Sequence, residues 1–242
     1  MVWLSIFVNP TQFNDPSDFE AYPVTWDRDL ELAQEHGVDC IFAPHVEELY
    51  PEGAKTWVEV DGLSESLCGA SRPGHFRGVT TVVSKLFLAA RPHVAVFGQK
   101  DFQQLAVIRA MERDLGFGIE VVGAPTVREE DGLAMSSRNV RLSPEARLQA
   151  LALVQALDSA ELAVQQGERS RDRLLDDCHR ILQAASLADL DYAELRDPMT
   201  LALAPETLTG PTLLALAVAF RSPDGDPKKG VRLIDNRVLT PS

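Results

Sequence analysis

The chain has 242 residues, 45% of them hydrophobic, enough for one good core or for a larger and a smaller domain. Its 36 acidic and 23 basic residues give a net charge of −13, which repels nucleic acid and anionic membrane, so any anionic substrate must be met by local positive groups. Cys40, Cys68 and Cys178 form no CxxC and no disulfide framework, and the longest apolar run, Leu213 to Phe220, is far short of the roughly 20 residues of a membrane helix, so a cytoplasmic protein is expected.

The first element is already under way at Met1. Trp3 to Val8 is a continuous apolar run, as expected for a strand covered on both faces of a parallel sheet. The start lacks the basic residues of a signal peptide, and a further segment is expected ahead of it. Thr25 followed by Trp26-Asp27-Arg28-Asp29 predicts a capped helix that ends near His36-Gly37. Cys40 to Ala43 reads as a short buried strand, and the alternation of Thr56 to Val60 as an edge strand. Val79, Val82, Val83, Leu86, Phe87 and Ala90 fall at helical spacing. A strand at Val94 to Phe97, a helix from Asp101 to about Leu115 and a strand at Ile119 to Val122 follow. This rhythm implies an α/β, doubly wound, Rossmann-like parallel sheet with helices on both faces.

The pattern changes at Ser143-Pro144-Glu145, a strong helix start. An Ala- and Leu-rich helix to about Gln166 and a second from Ser170 to Ala185 are expected. Strands at Asp191 to Arg196, Leu213 to Ala219 and Val231 to Asn236 follow, the last two joined by a polar, turn-rich loop, Ser222 to Gly230. Residues 1–142 are thus expected to form a nucleotide-binding domain and 143–242 a small α+β cap.

Two loops carry the chemistry. Phe97-Gly98-Gln99-Lys100-Asp101 closes a strand, and Met135-Ser136-Ser137-Arg138-Asn139 follows a turn at Asp131-Gly132. At the ends of α/β strands they would present a lysine, an arginine and two hydroxyls to phosphates. There is no Walker loop, dinucleotide fingerprint, nucleophile elbow or HxxxH pair, so a protein-held metal is not expected. Taken singly, Lys100 is an ordinary surface lysine, and Gln12 and Gln104 are ordinary polar residues. A second hydroxyl-rich turn and a lysine do not by themselves choose between an enzyme and a nucleotide-binding protein.

Several segments in order resemble the pantothenate synthetase (pantoate–β-alanine ligase) family: Ser5 to Phe13, Arg72-Pro73-Gly74-His75-Phe76-Arg77-Gly78-Val79, Phe97 to Leu105, Pro125 to Glu129, Asp131 to Asn139, and Arg232-Leu233-Ile234-Asp235-Asn236. The resemblance implies a nucleotidyltransferase-type form of that sheet and condensation of pantoate with β-alanine through a pantoyl adenylate, with ATP and Mg²⁺ entering as a substrate complex and a homodimer as the assembly. It assigns Gly98, Gln99, Lys100, Asp101, Val127, Met135, Ser136, Ser137 and Arg138 to ATP. Lys100, Ser136, Ser137 and Arg138 would act in catalysis. Gln12 and Gln104 would hold pantoate, Gln12 later helping to place β-alanine, with Asn9, Tyr22 and His75 in the pocket wall.

The family also carries, ahead of these segments, a first strand followed by Met-Gly-x-Leu-His-x-Gly-His, whose histidines bind the triphosphate. These 242 residues contain no His-x-Gly-His. The chain as written is therefore expected to lack the sheet's first strand, to expose apolar strand edges, and to adenylate pantoate poorly. A nucleotidyltransferase acting on another acid, and a non-catalytic binder of nucleotide or pantoate, are the alternative readings.

Overall fold

The computed structural model describes residues 1–14, 19–20, 22–226 and 230–241. Its N-terminal part is built of parallel strand pairs and helices. β1 (Trp3–Ser5) pairs with β2 (Cys40–Phe42), and β3 (Val94–Gly98) pairs with β4 (Glu120–Ala124). Among the described residues β1 and β3 each have one partner strand, so the parallel sheet is in two pieces. Trp3, Val94 and Val96 are 48%, 47% and 64% exposed, not covered as in a continuous sheet.

β1 stops at Ser5, short of the expected Val8, although Ile6 N still donates to Phe42 O at 3.0 Å. Asn9-Pro10 then turns the chain into a 3₁₀ turn, Pro10–Gln12, with Asn9 accepting from Thr11 N. α1 (Trp26–Glu35) ends as expected, with Gly37 at φ 70°, but Thr25 does not cap it, since its hydroxyl donates to Asp29 Oδ1 at 3.0 Å instead of accepting a backbone N–H. β2 is half-buried, not buried.

Thr56 to Val60 is not a strand. Its alternation does place Val58 and Val60 against the core, but Val58 N donates to Thr81 Oγ1 and Val58 O accepts from Thr80 Oγ1. Both threonines are buried on α4 (His75–Ala90), which lies after the short helices α2 (Val46–Leu49) and α3 (Cys68–Ser71). Side chains thus take the hydrogen bonds that a partner strand would have made.

α4 and α5 (Phe102–Leu115) enclose the first core, in which Val79, Val83, Phe87, Ile108 and Met111 meet. Ser143 caps α6 (Pro144–Gln149) by accepting from Ala146 N at 3.1 Å. The single helix expected there is two, because the backbone tightens at Ala150-Leu151, with Leu151 N bonded to Leu148 O, before α7 (Ala152–Gln165). α8 (Arg171–Gln183) then leads to an antiparallel sheet of β5 (Ala188–Arg196), β6 (Thr212–Phe220) and β7 (Val231–Leu239). The sequence is thus an α/β fold with a C-terminal antiparallel sheet. Part of the Ser222 to Gly230 loop, residues 227–229, lies outside the described residues.

β6 is apolar from Leu213 onward because both of its faces are covered. Leu214, Leu216, Val218 and Phe220 join the core under α7 and α8, while Leu213 and Ala215 meet Leu67, Phe102 and Ala106 from the N-terminal part. β7, at the sheet's edge, is thereby brought against the turn that precedes α5.

Candidate active site

Two turns, the start of α4 and strand β7 enclose a cleft of about 850 Å³. Lys100 enters it from a 3₁₀ turn, Gln99–Asp101, at the carboxyl end of β3, where ligands collect in open α/β sheets. α5 begins immediately after, so the lysine and the helix's first N–H groups address the same space. Lys100 is half-buried, and its ammonium has no hydrogen-bond or ion-pair partner among the described residues. Asp101 stands at the N-cap position but its side chain makes no cap hydrogen bond. Gln104, one turn into α5, also lines the cleft, and its carboxamide is unpartnered among the described residues.

The second loop is delivered by a hairpin. Met135 N donates to Val127 O, Glu129 N to Leu133 O, and Gly132 at φ 91° makes the Asp131-Gly132 turn read in the sequence. Ser136 then starts a 3₁₀ turn, Ser137–Arg141, by accepting from Arg138 N at 3.2 Å. Ser136 and Arg138 line the cleft with Lys100. Ser137 lies outside it and donates to Tyr22 Oη at 3.4 Å, while the Arg138 guanidinium sits 5.6 Å from the Tyr22 ring centre. Val127 and Met135 are exposed on the hairpin leading to this loop and do not line the cleft, and neither do Gly98 and Gln99.

The residues expected around pantoate are arranged in layers. His75 lines the cleft. Behind it, the backbone carbonyl of Gln12 accepts from His75 Nδ1 at 2.7 Å and from Arg72 Nη2 at 3.0 Å. Burial, with the Arg72 charge adding to it, lowers the His75 pKa from 6.5 to about 4. The ring is therefore neutral at pH 7, with Nδ1–H donating and Nε2 left as an acceptor. Asn9 does not reach the cleft. Only 2% exposed, it donates to Gly78 O and accepts from Thr11 and Tyr50, so it holds the Pro10–Gln12 turn against α4.

Arg72, Arg141 and Arg232 also line the cleft, and their roles escape a reading of the sequence. Arg232, on β7, pairs with Asp191 at 2.7 Å and lies 5.7 Å from the Tyr192 ring centre, beside Cys68. Burial raises the pKa of Tyr192, so its hydroxyl stays protonated, 3.1 Å from Cys68 Sγ. The period-two spacing of Arg232, Ile234 and Asn236 is a face signal, but nothing local says what that face meets. With Lys100 and Arg138 these arginines make a cationic cleft in a chain of net charge −13. Its carboxylates are Asp101 and the Arg128-paired Asp235, and among the described residues no cluster of three His, Cys, Asp or Glu could hold a metal.

A sequence profile described as pantoate-beta-alanine ligase matches residues 1–238. The chain belongs to the pantoate–β-alanine ligase family. It is 53% identical over 238 residues to a pantothenate synthetase of Desulfatibacillum aliphaticivorans, a match covering 98% of this chain and 82% of that protein. The crystal structure of pantothenate synthetase from Thermus thermophilus superposes with a TM-score of 0.90 at 48% identity, covering 100% of this chain and 84% of that one. Pantoate-beta-alanine ligase from Francisella tularensis, solved with beta-gamma ATP and beta-alanine, aligns with a TM-score of 0.76 at 30% identity, over 98% of this chain and 79% of that one. This pantoate–β-alanine ligase family member is accordingly an enzyme of the ligase class.

Proposed function

We propose that this cleft condenses pantoate with β-alanine in two stages, first joining the pantoate carboxylate to AMP and then letting the β-alanine amine displace AMP. One observation carries the reading: Lys100 and Arg138, from two loops distant in sequence, open into one cavity together with Gln104 and His75. The first stage brings two anions together and builds charge on departing pyrophosphate, which fixed cations in a partly enclosed site stabilise. Lys100 supplies a point charge and Arg138 planar donors. Ser136 and Ser137 shape the second phosphate loop, Gly98, Gln99 and Asp101 the first, with Val127 and Met135 on the adenosine side. Gln104 and Gln12 orient pantoate, and His75 offers an acceptor to one of its hydroxyls. The second stage is a matter of holding two reactants at one activated carbonyl.

Mg²⁺ enters with the nucleotide, since among the described residues the cleft offers Asp101 as its one carboxylate not tied to an arginine. Residues 1–142 carry nucleotide and pantoate, 143–242 cap them, and the assembly is a homodimer. Because these 242 residues contain no His-x-Gly-His, they are proposed to adenylate slowly by themselves. The test is pantoate-dependent ATP–pyrophosphate exchange, run on this chain beside one extended upstream by a strand and a His-x-Gly-His. Exchange that requires pantoate, and is faster in the extended chain, is expected. Exchange with a different acid but not pantoate, or nucleotide binding without exchange in both chains, would overturn the reading.

A further inference from the structure

Asp235 and Asn236 are consecutive on β7, and between them they hold both loops of the cleft. Asn236 Nδ2 donates to Gln99 O at 3.0 Å and to Lys100 O at 2.8 Å, so both amide hydrogens are spent on the turn that carries Lys100. Asp235, 2% exposed, takes Arg128 in a two-pronged pair of 2.7 and 3.0 Å and also accepts from Asn236 N at 2.8 Å. Arg128 in turn donates to Gly132 O and is bridged to Ala134 in the hairpin that ends at Ser136. A continuous hydrogen-bonded path thus runs from the Lys100 turn, across two adjacent residues of one strand, to the loop of Ser136 and Arg138.

We infer that Asn236 is a positioning residue for Lys100, fixing that turn at a set distance from the Arg138 loop. The inference rests on the reading of the cleft as the ATP site. The Lys100 ammonium has no partner of its own among the described residues, so only its backbone origin decides where its flexible stem can reach. β7, by contrast, does not need the Asn236 side chain: nine residue pairs with β6, from Thr212–Leu239 to Phe220–Val231, already fix its register. The carboxamide acts on the turn, not on the sheet.

The test reads Lys100 itself. The chain is reductively methylated with and without saturating ATP, and modification of each lysine is measured by mass spectrometry, with Lys55, outside the cleft, as the internal reference. In the parent, ATP should protect Lys100 about tenfold, and in Asn236→Ala and the near-isosteric Asn236→Asp less than about twofold, the size expected for losing two hydrogen bonds. Both variants should keep a cooperative melting transition. Retained protection in the variants, or loss of the transition in both, overturns the positioning role while leaving the ATP site standing. Absence of protection in the parent overturns the ATP assignment of Lys100, and this inference with it.

Discussion

At the residue scale, the cleft separates side chains that hold the fold from those held ready by it. Lys100 makes no side-chain hydrogen bond or ion pair among the described residues, so Lys100→Ala removes a charge without breaking a contact. The expected outcome is an unchanged melting temperature with pantoate-dependent exchange lowered about 10²- to 10³-fold, as for other preorganised donors to developing negative charge. Gly98 makes a similar separation. It is extended (φ −71°, ψ 134°), and a Cβ there would meet nothing within 4 Å, so the fold does not require glycine. Gly98→Ala should therefore melt like the parent yet bind ATP more weakly, measured by calorimetry, if the nucleotide passes close to that backbone. His75 is the opposite case. Its folded pKa of about 4 lies below the ordinary 6.5, so between those values the unfolded chain binds a proton that the folded chain does not. Stability contributed by neutral His75 is full above pH 6.5 and is lost as pH falls toward 4, by roughly 3 kcal/mol at most. Urea unfolding across that window should show the slope, and His75→Asn should flatten it. Lys100 and Arg138, which line the same cleft, were legible only through the family resemblance of the segments around them, since neither stands out singly. The burial of Asn9 was not, because its partners Gly78 and Tyr50 are far along the chain.

At the element scale, the Pro10–Gln12 turn depends on one glycine of α4. A Cβ at Gly78 would stand 2.5 Å from Thr11 O and 2.7 Å from Thr11 C, and backbone cannot yield as a side chain can. The same turn presents the Gln12 carbonyl to His75 and Arg72. Gly78→Ala is expected to cost about 1–3 kcal/mol by overpacking, despite alanine's better helix propensity, and to raise the KM for pantoate. Thermal melting and exchange kinetics check the two effects, and a stabilised variant with normal pantoate dependence would contradict this account. A helix start was read well from sequence at Ser143, which accepts the expected backbone hydrogen bond from Ala146 N, although the one helix expected there is two. Thr56 to Val60 shows where that reading fails. Alternation reports which side chains face the core, not what the backbone bonds to, and here two threonines of α4 stand in for a strand.

At the scale of the whole molecule, the acidic surface and the cationic cleft are separate facts, and only the second was hidden. Composition gives −13, but no local pattern announces that Arg72, Arg141 and Arg232 converge with Lys100 and Arg138, because they come from separate stretches of the chain. What ties the hairpin that leads to Arg138 to the strand that carries Arg232 is the Arg128–Asp235 pair. The Asp235 carboxylate is fully buried and Arg128 is one-quarter exposed, and the hydrogen bond to Asp235 holds the Arg128 pKa above its ordinary value. Desolvating both charges costs about as much as their attraction returns, so the pair itself adds little net stability, whereas an orphaned member is costly. Asp235→Ala, which strands Arg128 and frees the Asn236 N–H, is expected to lose about 3 kcal/mol, or roughly 10 °C in melting temperature for a chain of this size. Arg128→Met combined with Asp235→Leu should recover much of that loss, since neither variant side chain leaves a buried charge. The double variant's hairpin, no longer fastened to β7, should still bind ATP poorly. Recovery of stability together with recovery of ATP affinity would mean that the pair fixes the fold alone and contributes nothing to the distance between the two phosphate loops.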